Sequence, residues 1–157
     1  MSTLELKELS HPSGEVIKIA AGKTLDLKSQ GTTTLPTGSV LQVVSATFGT
    51  DTSTTSTSFV DTPITLSITP TSTSSKILII YSVSQFMTVA GASGHLKVVR
   101  GSTDLATHGY GNYAGSSTVM STSSYQHLDS PSTTSATTYK IQFNRLNAGA
   151  VLCSYDD

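Results

Sequence analysis

The sequence predicts an all-β protein, an antiparallel β-sandwich or jelly-roll-like domain preceded by an N-terminal β-arm, and three observations lead there. Serine and threonine supply 52 of the 157 residues. Such side chains lose rotamer freedom in a helix or compete with its backbone hydrogen bonds. Apolar residues recur with period two in short runs, the mark of strands with one buried face, and helical periodicity is nearly absent. The runs follow one another at roughly 10- to 15-residue spacing with no crossover helix between them, which favours antiparallel pairing.

Residues 1–38 form the expected docking arm, and 39–157 the sandwich. The arm holds 8 of the 19 charged side chains and is cut by Pro12, Gly14, Gly22, Gly31, Pro36 and Gly38. Between the cuts, Glu15-Val16-Ile17-Lys18-Ile19-Ala20 and Lys23-Thr24-Leu25-Asp26-Leu27-Lys28 largely alternate. Two strands cannot make a core of their own. Val16, Ile17, Ile19, Leu25 and Leu27 are therefore expected to pack on a partner, with neighbouring charges fixing the register.

In the sandwich, Val40-Leu41-Gln42-Val43-Val44 is read as the first strand and the uninterrupted polar run 49–58 as a loop. Ile64, Leu66 and Ile68 alternate with Thr65 and Ser67, and Pro63 and Pro70 bracket them, so this strand is placed near a sheet edge. The run from Lys76 to Ser84 begins apolar on both faces and is the expected central strand. Gly94 to Arg100 alternates loosely and ends in a turn-like Arg100-Gly101-Ser102-Thr103-Asp104. Further strands are expected at Thr118 to Met120, Tyr125 to Leu128, Tyr139 to Phe143, with Tyr139, Ile141 and Phe143 on one face, and Ala150 to Cys153. The polar tracts 50–58, 69–75 and 132–138 read as loops and strand faces, since apolar runs flank each one.

Composition narrows the function classes. Nine Lys and Arg against ten Asp and Glu leave a net charge of −1, which gives no basic surface for nucleic acid. The first nine residues lack the apolar core of a secretory signal, and the longest apolar block is Ile77 to Tyr81. The expectation is a protein that neither spans a membrane nor carries its own export signal. Cys153 is the single cysteine, so no intrachain disulfide framework exists.

Catalytic signatures are sparse. Four histidines (His11, His95, His108, His127) accompany many serines, but no Gly-x-Ser-x-Gly elbow is present. His127-Leu128-Asp129 puts two metal-ligand types on one strand face, where a polar strand end is the stronger reading. No glutamate follows Glu15, and the aspartates form no obvious pair for glycoside hydrolysis. Residues 109–115, Gly-Tyr-Gly-Asn-Tyr-Ala-Gly, lack the lysine and the strand-to-helix setting of a phosphate loop. Tyr110, Asn112 and Tyr113 could instead touch a glycan or a protein, because tyrosine offers amphipathic area at low entropic cost. The sequence thus predicts no enzyme and no cofactor or metal.

Three phrases carry a resemblance: residues 35–44 (Leu-Pro-Thr-Gly-Ser-Val-Leu-Gln-Val-Val), the block 54–84 with Ile68-Thr69-Pro70-Thr71-Ser72-Thr73-Ser74-Ser75-Lys76-Ile77, and Leu128-Asp129-Ser130-Pro131-Ser132 leading into Thr138 to Phe143. Over residues 35–145 the chain resembles a β-sandwich module of virion proteins in tailed, marine-type bacteriophages. That module occurs in head decoration and head-fibre proteins and in tail-fibre tips. The arm, with Ser10-His11-Pro12-Ser13-Gly14-Glu15, looks like the lead-in of such proteins. The resemblance implies a homotrimer on the outer surface of a phage particle, bound through the arm to the major capsid protein or another virion protein. A head protein is expected before a receptor-binding fibre tip, because 38 residues leave no room for both a shaft and an attachment domain.

Overall fold

A computed structural model describes residues 21–22, 36, 38–87, 89–108 and 119–147, together with the backbone of 151–153. The chain divides into two compact units, Met1–Val40 and Leu41–Asp157. In the first, Ser39 donates from both its amide and its hydroxyl to the Pro36 carbonyl, closing a turn in which Gly38 takes a φ of 91°. The strands expected at 15–20 and 23–28 lie outside the described residues.

The second unit is a β-sandwich of eight strands: β1 (Thr52–Thr54), β2 (Val60–Ile68), β3 (Ile77–Met87), β4 (Gly94–Arg100), β5 (Thr103–His108), β6 (Val119–Asp129), β7 (Thr137–Arg145) and β8 (Val151–Cys153). One antiparallel sheet runs β1-β8-β3-β6 and the other β2-β7-β4-β5. First pairs with last, second with seventh, third with sixth and fourth with fifth, and successive pairs fall in alternate sheets. That is one long antiparallel hairpin rolled up on itself, the winding of a jelly roll.

Local chemistry explains the strand ends and irregularities. β2 is an edge strand, as its prolines imply, and Pro63 sits where its register with β7 shifts between Asp61 and Thr65. A proline cannot donate to the ladder, and a bulge is where an edge strand tolerates one. Beside it, the Thr62 hydroxyl donates to the Ile141 carbonyl at 2.8 Å and accepts the Ile64 amide at 3.2 Å. β4 and β5 are joined by Gly101-Ser102, with Gly101 at φ 56° supplying the left-handed first position of a two-residue hairpin. The hydroxyl tracts close their own turns: Thr54, Ser56, Ser72 and Thr133 each accept the amide two residues on.

The core lies between the sheets. Tyr81, Val83 and Met87 of β3 meet Leu96 and Val98 of β4 and Ile141 and Phe143 of β7. Burial of each such side chain contributes about 1.5–3 kcal/mol. Tyr139, Ile141 and Phe143 share one face as their spacing predicts.

Several readings need correction. Residues 40–44 form no strand, and Val40, Leu41 and Val43 are exposed; they are apolar but for Gln42, yet no described strand pairs with them. Inside the supposed polar loop, Thr52–Thr54 pairs with β8, because threonine suits a ladder even without an apolar face. The turn-like residues after Arg100 lead at once into β5, and the two strands expected at 118–120 and 125–128 are one, β6. β3 is an interior strand of its sheet, yet it is not covered on both faces: outward-pointing Leu78 and Ile80 are exposed.

Candidate functional site

The one buried ionic group spanning both sheets among the described residues is built on Asp129, the last residue of β6. Across the sandwich, β4 and β7 set Arg100 opposite Tyr139 in register. Arg100 Nη1 donates to both Asp129 oxygens at 2.9 and 2.8 Å, and the Tyr139 hydroxyl donates to Oδ2 at 2.7 Å. Burial, then the Asp129 carboxylate, pushes the Tyr139 phenol well above its usual range, so it stays a proton donor. Asp129 is committed to this clamp. Among the described residues, no three His, Cys, Asp or Glu side chains group to hold a metal ion.

A second cluster is aromatic. His108, closing β5, stacks on Tyr125 of β6 with ring centres 4.2 Å apart and meets Tyr81 of β3 edge-on at 5.9 Å. Tyr81 and Tyr125 are opposite each other in the β3–β6 ladder. Burial, and then the nearby His127, lowers the His108 pKa, keeping the imidazole neutral at physiological pH. Among the described residues, its Nε2 and the Tyr81 hydroxyl are buried without hydrogen-bond partners. A triad histidine needs a serine on one nitrogen and an orienting group on the other; among the described residues the His108 Nε2 has no such serine.

A cleft of about 440 Å³ opens beside β3, lined mainly by apolar side chains that include Val44, Ile64, Leu66, Ile79 and Ile141. Ser45, Thr47, Ser82 and Ser84 also line it, the last two hydrogen-bonded to Ser124 and Thr122 of β6. Lys140, the one charged side chain in its wall, is paired with Asp61 at 2.9 Å.

The outer faces of the sheets differ. On β2-β7-β4-β5, Lys140 and the Gln142 amide both donate to Asp61, holding its carboxyl below the usual range. On the same face Lys97 pairs with Asp104 at 2.8 Å and lies 3.9 Å from the centre of the Phe59 ring. The stretch before β2 is tied down there, with Asn144 donating to the Thr57 carbonyl and the Arg145 amide to that of Ser56. On β3 and β6 the outward positions carry no charge. Ser82 and Ser124 hydrogen-bond each other at 2.9 Å, as do Ser84 and Thr122, and large apolar side chains flank these pairs.

The residues singled out in the sequence fall unevenly on this frame. Val16, Ile17, Ile19, Leu25 and Leu27 of the arm, and Tyr110, Asn112 and Tyr113 of the glycine-tyrosine loop, lie outside the described residues. His127 and Asp129 do share the inner face of β6, and Asp129 serves the clamp. Sequence reading missed the clamp and the uncharged face. The signal for the latter lies in Leu78 and Ile80, apolar residues at outward positions. Comparison with known proteins adds no relative: no family model, no curated protein and no solved structure matches the chain.

Proposed function

We propose that this chain is a non-enzymatic structural protein of a tailed-bacteriophage virion, a capsid decoration or head-fibre protein on the outer surface of the particle. In this reading it is a homotrimer, and residues 1–38 dock it to the major capsid protein or another virion protein. The observation that carries the reading is a jelly roll, a winding used by viral capsid proteins as well as lectins and cupins, whose outer β3–β6 face is neutral and hydroxyl-rich. Uncharged faces suit subunits crowded side by side, where like charges would repel. The phrases shared with phage virion modules point the same way, by analogy.

Immunogold labelling of purified virions with antibody against residues 41–157 tests it. Label over the head is expected. Label at the distal tail would replace the head protein with a receptor-binding fibre tip, and particles without label would overturn the virion reading. A chain lacking residues 1–30 is expected to stay folded and to lose attachment to particles.

A further inference from the structure

Alternate residues from Leu78 to Phe86 and from Met120 to Leu128 form the outer face of this strand pair, and much of its apolar area is exposed. Ile80 is 70% exposed, Met120 61%, Leu78 57% and Leu128 56%. None of its outward positions is charged. Leu78 and Leu128 are opposite each other in the ladder, so apolar area is grouped at that end of the face. Between the apolar ends, the hydroxyls of Ser82 and Ser124, and of Ser84 and Thr122, already satisfy one another. Covering them costs little, because their hydrogen bonds survive the loss of water.

Among the described residues, the edge beside this face is also unguarded. Of the four edge strands, β1 has three residues, β2 is broken by Pro63 and a register shift, and β5 carries Asp104 and faces a shift at Val98/Val99. β6 runs eleven residues in unbroken register with β3 and contains no proline, glycine, lysine or arginine. Natural proteins blunt or cover long flat edges.

We propose that copies of this chain associate through the outer β3–β6 face and the adjoining free edge of β6. Charge selects the occupant. A foreign partner is chosen and held in register by complementary charges, and this face offers none to read. An identical face brings no like-charge repulsion, at a net charge of −1 for the whole chain. Area selects the geometry. Two strands of eleven residues give a face on the order of 350 Å² from the strand rise and spacing, below the ~800 Å² per partner of a stable interface. A closed ring, in which each copy meets one neighbour through the face and another through the edge, supplies the rest. The inference rests on the preceding proposal for its threefold stoichiometry only.

Light scattering on the purified full chain at micromolar concentration tests it. The wild type is expected at three times the 16.4 kDa chain mass. Ile80→Lys and Leu128→Lys are expected to reduce that mass threefold with unchanged circular dichroism. Thr65→Lys, exposed on the opposite sheet, is expected to leave it intact. Ile80→Ser repeats the measurement should either lysine variant lose its fold. A monomeric wild type, face variants that keep the wild-type mass, or equal loss in Thr65→Lys would overturn the proposal. A monomeric chain that still labels phage heads would sink this inference and the trimer while leaving the virion location standing, and an assembled chain absent from particles would sink the virion location alone.

Discussion

On the outside of one sheet, β3 and β6 set leucine, isoleucine and methionine among paired hydroxyls; on the outside of the other, lysines are set against aspartates. Both faces belong to antiparallel strands that alternate inward and outward in the same way, and both bear serine and threonine cross-strand pairs, as Ser67 with Thr138 shows at 2.7 Å. The difference lies in whether the outward groups can be satisfied within their own sheet. Lys140 and Gln142 complete Asp61, and Asp104 and Phe59 complete Lys97. Ile80 and Met120 have no such recourse, because only removal from water stabilises an exposed apolar side chain. The ionic face is complete in one chain, whereas the neutral face leaves Leu78, Ile80, Met120 and Leu128 exposed.

Substitutions can break that comparison, beginning with the group that joins the two sheets. Asp129→Ala leaves Arg100 without its carboxylate and the Tyr139 hydroxyl without its acceptor, and is expected to cost about 3–5 kcal/mol in urea unfolding. A loss under about 1 kcal/mol would mean that the clamp does not hold the sheets together. Next come two neighbours on opposite sides of β3. Ile79 packs against the core and Ile80 points outward, so Ile79→Ala is expected to cost ~2 kcal/mol or more and Ile80→Ala, measured on the unassembled chain, less than ~0.5 kcal/mol. Equal costs would erase the distinction between the faces.

A pH series probes the interior seam where β5 meets β6. Burial keeps the His108 pKa below its ordinary value of 6.5. As pH falls through 6.5 the unfolded chain binds a proton that the folded chain resists, so stability is full above that value and declines below it. The melting temperature is expected to be lower at pH 5 than at pH 8, and His108→Phe, which keeps the stacked ring, should flatten that slope. An unchanged slope in the variant would place the titrating group elsewhere. A small effect is also expected on the ionic face: Asp61 is exposed, and Asp61→Asn should change stability by less than ~1 kcal/mol at neutral pH. A larger loss would make the outer ion pairs structural supports of the sheet.

The sequence made the strands legible wherever apolar and polar residues alternate over a buried face. Tyr139, Ile141 and Phe143 announce β7 in this way, and Ile64, Leu66 and Ile68 announce β2 together with the prolines that mark it as an edge. Periodicity failed where burial did not follow pattern. Residues 40–44 are apolar but for Gln42 and pair with nothing described, while Thr52–Thr54 pairs without any apolar alternation. The clamp was illegible because Arg100, Asp129 and Tyr139 come from three strands, and only the rolled winding brings them together. At Leu78 and Ile80 the apolar character of both strand faces is legible in the sequence but their exposure is not, since apolar side chains also make up much of a protein's surface.

The most direct test of a neutral face completed by a second copy is amide hydrogen exchange followed peptide by peptide at two protein concentrations. On passing from nanomolar to micromolar chain, protection should rise across Met120 to Leu128 of β6 and stay constant across Thr65 to Ile68 of β2, an edge equally open in the single chain. Protection gained on β2 and absent from β6, or no concentration dependence on either strand, would contradict the account.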